Sequence, residues 1–187
     1  MNLPASMAVV EELLAAYTVD AARSGPLLPL ATLLTRLREP LRDAAVWAAT
    51  GAALTRNGFA EPAAAVLAAA LQIYPRHVEL QYLRGNALRV AQRPEEAEQD
   101  FRAALGLAPA HRQAALSLAF MLREQGRVGA AGDVVLGQWR ADHGSAAQTL
   151  ELLEFLRGSG AHRQARSLAD AAQAHWPGHA QIVNIAA

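Results

Sequence analysis

The chain has 187 residues, of which 52% are hydrophobic, so its length supports one domain or one continuous stack of repeats with an ample core. All 17 basic residues are arginines and 17 residues are acidic, so the formal net charge of zero excludes a whole-molecule field that would draw the chain to nucleic acid or to an anionic membrane. Cysteine is absent, which excludes disulfides, thiolate metal sites and cysteine nucleophiles.

The N-terminal segment has the pattern of neither a secretion signal nor a membrane span. Residues 1–17 contain no basic residue, and Glu11 and Glu12 interrupt their apolar run. No apolar stretch anywhere in the chain approaches the roughly 20 residues that a membrane helix needs. We therefore expect a cytoplasmic protein, and the alanine-rich, lysine-free composition favours a bacterial source.

Two apolar stripes at helical spacing precede the main pattern and predict a helical hairpin over residues 1–43. The first consists of Met7, Val10, Leu13, Leu14 and Tyr17, and the second of Leu27, Leu30, Leu33, Leu34 and Leu37, between Pro26 and Pro40. We expect this hairpin to be a diverged repeat that caps the stack, because terminal repeats are normally atypical. A dimerisation element is the alternative.

A 34-residue period governs the chain from Ala44 onward. It is carried by Ala63, Ala97, Ala131 and Ala165 and by Leu54, Leu88, Leu122 and Leu156. Each period contains two helical patterns, which are separated near Gly58, Gln92, Gly126 and Gly160 and end near Pro75, Pro109, His143 and Pro177. Since proline cannot donate to the helical ladder, the spacing predicts four helical hairpins over residues 44–77, 78–111, 112–145 and 146–179.

Glycines in two of the predicted first helices indicate a close helix contact. Gly51 and Gly85 lie mid-helix, where glycine costs about 1 kcal/mol relative to alanine. Tight packing against the small residues Ala63 and Ala97 of the second helix would offset this cost.

The last residues, 180–187, begin the pattern of a further first helix and contain no charged side chain. A terminal repeat normally presents a polar outer face, so we expect a truncated helix in a fragment of a longer polypeptide.

No arrangement of residues indicates catalysis or a cofactor. The chain lacks a phosphate-binding glycine loop followed by lysine, a nucleophile elbow and a zinc-binding His-Glu-x-x-His motif. His175 and His179 are four residues apart, but Pro177 between them breaks the helix that would align them. His77, His111 and His179 are interpreted as polar linker residues. We predict no catalytic residue, no metal and no cofactor.

The repeat columns resemble the tetratricopeptide repeat family, whose usual pattern is a large residue, Gly, a large apolar residue, Ala, an aromatic, Ala and Pro. The second period matches at Gly85, Leu88, Ala97, Phe101, Ala104 and Pro109, and the first at Trp47, Gly51, Leu54, Gly58, Ala63, Leu67, Ala70 and Pro75. The third departs from the pattern at Ala119 and His143, and the fourth at Leu153, although it keeps Gly160, Ala165, Ala172 and Pro177. The resemblance implies an all-α, right-handed solenoid of antiparallel helix hairpins.

The resemblance also implies a concave groove lined by the first helices, at the second, fifth, ninth, twelfth and thirteenth positions of each repeat. The candidate peptide-binding residues are Glu79, Tyr82, Asn86, Arg89, Leu116, Phe120, Arg123 and Arg157. The clamp with which some family members hold a terminal carboxylate is absent from the first repeat, where its positions are Ala48 and Ala52.

Arg89, Arg123 and Arg157 are 34 residues apart and should form a row in which each planar fork can bind a carboxylate. Tyr82 and Phe120 add the aromatic component of interface hot spots. A solvated helix face or a local pair between Glu154 and Arg157 would give the same row, and that interpretation stays open.

We therefore predict a non-catalytic scaffold that binds a protein or peptide segment of acidic character. Nucleic acid is disfavoured because Glu79, Glu124 and Glu154 interrupt the arginine row. One alternative is the substrate-recognition domain of a larger bacterial enzyme, in which a sulfotransferase, glycosyltransferase or oxygenase is fused to such repeats. The other is an oligomerisation scaffold, and the sequence leaves the oligomeric state undecided.

Overall fold

The computed structural model describes residues 5–25, 30, 32–35, 43–179 and 182, and within them every regular element is an α-helix. The predicted all-α class is therefore confirmed. The helices are α1 (Ala5–Ser24), α2 (Ala44–Arg56), α3 (Ala60–Ile73), α4 (Val78–Val90), α5 (Pro94–Leu107), α6 (Arg112–Glu124), α7 (Val128–Ala141), α8 (Ala146–Gly158) and α9 (His162–His175).

Helix starts recur every 34 residues in two series. The first helices begin at Ala44, Val78, Arg112 and Ala146, and the second helices at Ala60, Pro94, Val128 and His162. The second helices end two residues before Pro75, Pro109, His143 and Pro177. The boundaries of four repeats at 44–77, 78–111, 112–145 and 146–179, and the handedness of their stacking, stay predictions.

The turn inside each helix pair requires a left-handed residue. Gly58, Gly126 and Gly160 have φ of 84°, 75° and 81°, and Gln92 has φ of 61° at the corresponding place. Glycine adopts this conformation without the steric cost of a Cβ, which explains why three of the four turns use it.

Side chains cap the N-termini of the first helices. Asp43 accepts from the Ala45 N–H at 2.9 Å, and Ser145 forms a capping box with Gln148. His77 and His111 do the same through Nδ1, which accepts from the N–H groups of Leu80 at 3.4 Å and Ala114 at 3.1 Å. These two histidines are therefore helix caps that satisfy an otherwise unpaired donor, which is a more specific role than the polar linkers expected from sequence.

The helices pack into two compact units, Met1–Leu107 and Ala108–Ala187. In the first unit α1 packs on α2, α2 packs on α3 and α4, α3 packs on α4, and α4 packs on α5. In the second unit α6 packs on α7, α8 on α9, and α7 contacts both α8 and α9. Fully buried side chains fill each core: Trp47, Leu54, Leu67 and Phe101 in the first, and Leu118, Leu122, Leu153 and Leu168 in the second.

The expected close approach at Gly51 and Gly85 is confirmed, although the residues in contact differ from the expected ones. A Cβ added to Gly51 would lie 2.5 Å from Leu67 Cγ, and one added to Gly85 would lie 2.8 Å from Phe101 Cε1. The large side chain four residues after Ala63 or Ala97 thus covers the glycine, one helical turn away from the position that we expected.

Only part of the predicted N-terminal hairpin falls within the described residues. The helix α1 is present, with Val10, Leu13 and Tyr17 buried, and residues 30 and 32–35 are helical, with Leu33 buried. Residues 1–4, 26–29, 31 and 36–42 lie outside the described residues, as do 180–181 and 183–187 of the predicted C-terminal helix. Tyr17 joins α1 to the next hairpin through an edge-to-face contact with Phe59, with ring centroids 5.3 Å apart.

Burial raises the pKa of Tyr17 above its ordinary value of 10.0. Because the folded state favours the neutral phenol, this contribution to stability is complete below about pH 10 and is lost as the pH rises through the raised pKa. We expect the unfolding free energy to fall above about pH 10, and Tyr17→Phe to reduce that fall. Urea unfolding at successive pH values measures both slopes, and identical slopes in the two proteins would contradict the prediction.

Among the described helices, none combines the length and the apolar character that a membrane-spanning segment requires.

Candidate functional site

In the first unit, three candidate residues form one row on α4. Tyr82, Asn86 and Arg89 follow one another at spacings of four and three residues, which places them on the same helix face. Asn86 Nδ2 donates to Tyr82 Oη at 3.3 Å, and Arg89 Nη2 donates to Asn86 Oδ1 at 3.5 Å, the outer limit for such a bond. Arg89 and Glu79 are exposed. The row therefore offers polar groups held by weak local bonds.

In the second unit, α6 and α8 bring an arginine and two phenylalanines together. The rings of Phe120 and Phe155 meet edge to face with centroids 4.9 Å apart. The guanidinium carbon of Arg123 lies 4.9 Å from the centroid of Phe120 and 5.3 Å from that of Phe155. Phe120 is nevertheless 43% exposed, and Leu116, one turn earlier on α6, is half-buried. Phe120, Arg123 and Phe155 are together called the Phe120–Arg123–Phe155 group.

Arg123 differs from the other half-buried arginines of the described residues. Arg84, Arg93 and Arg112 each form an ion pair with a carboxylate. Arg123 is also half-buried, but within the described part of the chain its guanidinium forms no ion pair and lies against two aromatic rings. Cation–π attraction of this kind contributes about 0.5–1 kcal/mol or more and leaves the N–H groups of the guanidinium available.

The three arginines of the predicted row have different surroundings. Arg123 is held by aromatic rings, whereas Arg89 and Arg157 are exposed. Glu154 and Arg157 are both exposed, and none of the ion pairs among the described residues joins them. The structure thus distinguishes one fixed cation from two solvated ones.

Phe155 is the residue of this surface that sequence reasoning missed. It follows Glu154, which occupies the ninth position of the fourth predicted repeat, whereas Phe120 occupies the ninth position of the third. The two phenylalanines are 35 residues apart, so a strict 34-residue column does not pair them. An aromatic residue one step out of register in an otherwise leucine-rich helix was the available signal.

A second feature of the first unit is a cavity of about 320 Å³ between α3, α4 and α5. Its lining residues are Glu61, Ala64, Ala65, Ala68, Arg84, Leu88, Arg93, Glu96, Gln99 and Asp100.

The charged groups of this cavity pair with one another. Arg84 binds buried Asp100 through two hydrogen bonds, one from Nε at 2.6 Å and one from Nη2. Arg93 donates to Glu96 at 2.7 and 2.8 Å and to Glu61 at 3.0 Å. The bonds to Asp100 raise the pKa of Arg84, and those to Glu96 and then Glu61 raise the pKa of Arg93. This arrangement favours a structural role in joining three helices.

Aromatic residues gather where α7 and α9 end. Trp139 is buried and its Nε1 donates to Thr149 Oγ1 at 3.0 Å, so this side chain has a packing role. The imidazoles of His143 and His175 stack with centroids 4.4 Å apart and planes inclined by 6°. Parallel stacked rings do not direct two nitrogens at one ion, and in the described residues no three histidines or carboxylates converge as metal ligands would.

The paired helices, their 34-residue spacing and the close seams at Gly51 and Gly85 define a helical-repeat fold of the tetratricopeptide type. Solved structures show the same fold. A tetratricopeptide repeat protein from Parabacteroides merdae ATCC 43184 is 16% identical, with 95% of this chain and 70% of that chain covered and a TM-score of 0.56. MamA from Desulfovibrio magneticus RS-1 is also 16% identical, with 98% and 97% of the two chains covered and a TM-score of 0.57.

An enzyme contains the same fold. The O-GlcNAc transferase of Thermobaculum terrenum is 22% identical over 74% of this chain and 27% of the enzyme, with a TM-score of 0.51. Neither a protein-family model nor a curated protein sequence matches the chain. At these identities the comparisons establish the fold, so the resemblance drawn from the repeat columns is confirmed at that level.

Proposed function

We propose that this chain is a non-catalytic scaffold that binds a protein or peptide segment of acidic character on the exposed faces of its first helices. The observation that carries the proposal is the Phe120–Arg123–Phe155 group, in which a half-buried cation without a carboxylate partner lies beside an exposed aromatic ring. Arginine and aromatic side chains are the residues most enriched in interface hot spots.

Each unit contributes its own candidate surface. The first unit presents Glu79, Tyr82, Asn86 and Arg89, and the second presents Leu116, Phe120, Arg123 and Arg157. Phe120 is 43% exposed, and burying the rest of its ring on binding would remove apolar area from water. Exposed Glu79, Glu124 and Glu154 on the same helices oppose a phosphate backbone, so the proposal names a protein partner.

Affinity capture from the source cell tests this function. The bait proteins are the wild type, an Arg89→Glu/Arg123→Glu variant and an Arg76→Glu/Arg140→Glu control. The control makes the same change in net charge at exposed arginines, one in each unit, that lie outside the candidate surfaces.

We expect mass spectrometry to identify a partner that the wild type and the control retain and that the Arg89→Glu/Arg123→Glu variant loses at least tenfold. Such a loss corresponds to about 1.4 kcal/mol or more of binding free energy. Equal recovery by all three proteins would exclude these surfaces and direct attention to the N-terminal segment.

A second candidate function is the substrate-recognition domain of a larger enzyme. The fold shared with 27% of the Thermobaculum terrenum O-GlcNAc transferase favours it, since that enzyme has such helices within a longer chain. Reading the encoding gene on both sides of residues 1–187 distinguishes a transferase or oxygenase neighbour from a separate scaffold. The proposal includes a bacterial source and a cytoplasmic location, and it specifies no oligomeric state.

A further inference from the structure

On the surface of the second unit, two aromatic rings pack against the side chain of Arg123. The guanidinium of Arg123 lies against the adjoining rings of Phe120 and Phe155, with centroid distances of 4.9 and 5.3 Å. A long side chain normally loses rotamer freedom when it binds a carboxylate, and this loss reduces the gain from an exposed ion pair. Here aromatic packing already restricts the side chain, so less of that entropy remains to be lost when a ligand arrives.

The aromatic contacts leave the N–H groups of the Arg123 guanidinium able to donate hydrogen bonds. Aromatic rings engage the cation through its charge, and the planar fork of N–H groups can then bind both oxygens of a carboxylate. The other half-buried arginines of the described residues already bind carboxylates: Arg84 binds Asp100, Arg93 binds Glu61 and Glu96, and Arg112 binds Glu151. Among these four, Arg123 is therefore the one placed to accept a carboxylate from another molecule.

An apolar surface formed by Leu116 and Phe120, which we call the ledge, adjoins the guanidinium of Arg123. Leu116 and Phe120 are one turn apart on the same face of α6, and Phe120 is 43% exposed. The middle of this ledge lies about 7.5 Å along the helix axis from Arg123, at about 1.5 Å per residue. The nearer end of the ledge, the Phe120 ring, has its centroid 4.9 Å from the guanidinium carbon. Side chains two residues apart in an extended strand lie about 6–7 Å apart on one face, which falls between these two distances.

The charged residues around Arg123 limit how acidic the ligand can be. Arg123 and Arg157 stand among exposed Glu124 and Glu154, so the cations and carboxylates of this face balance. A run of acidic residues would gain one pair at Arg123 and meet two like charges. The surface therefore suits one carboxylate beside one apolar side chain.

The geometry points to a specific ligand class: an extended peptide segment with an apolar side chain at one position and an acidic side chain two residues away, bound over Leu116, Phe120, Arg123 and Phe155. This inference rests on the proposed function and specifies the ligand of its second-unit surface.

Selection from two libraries of short random peptides tests this inference with the full chain as bait. In the first library each peptide is held at both ends within a loop of a carrier protein, so that every carboxylate belongs to a side chain. In the second library the peptides end in a free C-terminal carboxylate. The baits are the wild type, Arg123→Gln, Arg123→Lys, Phe155→Leu and the matched control Arg140→Gln, which changes an exposed arginine of the same unit outside the candidate surface. Each bait is first shown by circular dichroism to unfold at the wild-type temperature.

We expect the wild type and Arg140→Gln to enrich loop-held peptides with an apolar residue two positions from an acidic one. Binding of such a peptide should weaken at least about tenfold with Arg123→Gln, and also with Arg123→Lys, which keeps the charge but lacks the planar fork. Changing the acidic residue of the peptide to its amide should weaken binding to the wild type equally and should have no effect on Arg123→Gln.

Three results would overturn the inference. One is enrichment from the free-carboxylate library alone, which would assign the fork to a chain terminus. Another is full retention of binding by Arg123→Lys, which would reduce the site to a point charge. The last is an absence of any enriched pattern in the first library. None of these decides the proposed function, which the capture experiment tests separately through the loss of a cellular partner.

Discussion

Replacing Asp100 by alanine should lower the unfolding free energy by about 3 kcal/mol, because the change leaves the Arg84 guanidinium without its partner. The side chain of Asp100 is 4% exposed and that of Arg84 is 28% exposed. Breaking a buried pair typically costs about 3–5 kcal/mol, and the partial access of Arg84 to water places this case at the lower end. Urea unfolding followed by circular dichroism measures the change.

Two further variants separate the pair from the loss of side-chain volume. Arg84→Met/Asp100→Leu removes both charges and should recover most of the lost stability, since burying the charges has its own desolvation cost. Arg102→Ala breaks the exposed pair with Glu98 and should cost less than about 0.5 kcal/mol. If Asp100→Ala costs no more than Arg102→Ala, the buried pair does not stabilise the fold.

Comparison of positions 34 residues apart gives a sequence signal for the Arg84–Asp100 pair. The residues 34 positions before and after Arg84 are Thr50 and Leu118, and those before and after Asp100 are Val66 and Val134. Both charges therefore occupy columns that are uncharged in the adjacent periods. Two opposite charges in core columns of facing helices predict a pair, but the hydrogen-bond geometry depends on rotamers that the period does not specify.

The helices were predictable because local rules place their ends. Proline removes a donor and disfavours the helical conformation in the residue before it, and glycine supplies the left-handed turn, so Pro75, Gly58 and their counterparts indicated each helix pair. The histidine caps were less accessible, since His77 and His111 act through a ring nitrogen whose direction follows from χ angles.

The candidate site shows the same division between pattern and geometry. The resemblance to the tetratricopeptide repeat named Phe120 and Arg123 as groove residues, and both have exposed area in the structure. It could not name Phe155, because the contact joins residues that are one step out of register. Nor could it separate Arg123 from Arg89 and Arg157, since their difference arises from aromatic neighbours on an adjacent helix.

Replacing Gly51 by alanine should destabilise the first unit by about 2 kcal/mol, although alanine is the better helix former by about 1 kcal/mol. The new Cβ would lie 2.5–2.7 Å from Cγ and both Cδ atoms of Leu67. Leu67 is fully buried, so it cannot move aside into solvent, and overpacking of this kind costs about 1–3 kcal/mol. Chemical unfolding of the variant measures the net effect.

Gly137→Ala is the matched control, because Gly137 lies inside α7 and an added Cβ would meet nothing within 4 Å. This change should stabilise the protein by about 0.5–1 kcal/mol through helix propensity alone. In a Leu67→Ala background the obstruction at Gly51 is removed, so Gly51→Ala should then become neutral or stabilising. A Gly51→Ala penalty that persists without the Leu67 side chain would show that contact with Leu67 is not the reason for the glycine, whereas a penalty that disappears would assign the mid-helix glycine to close packing between α2 and α3.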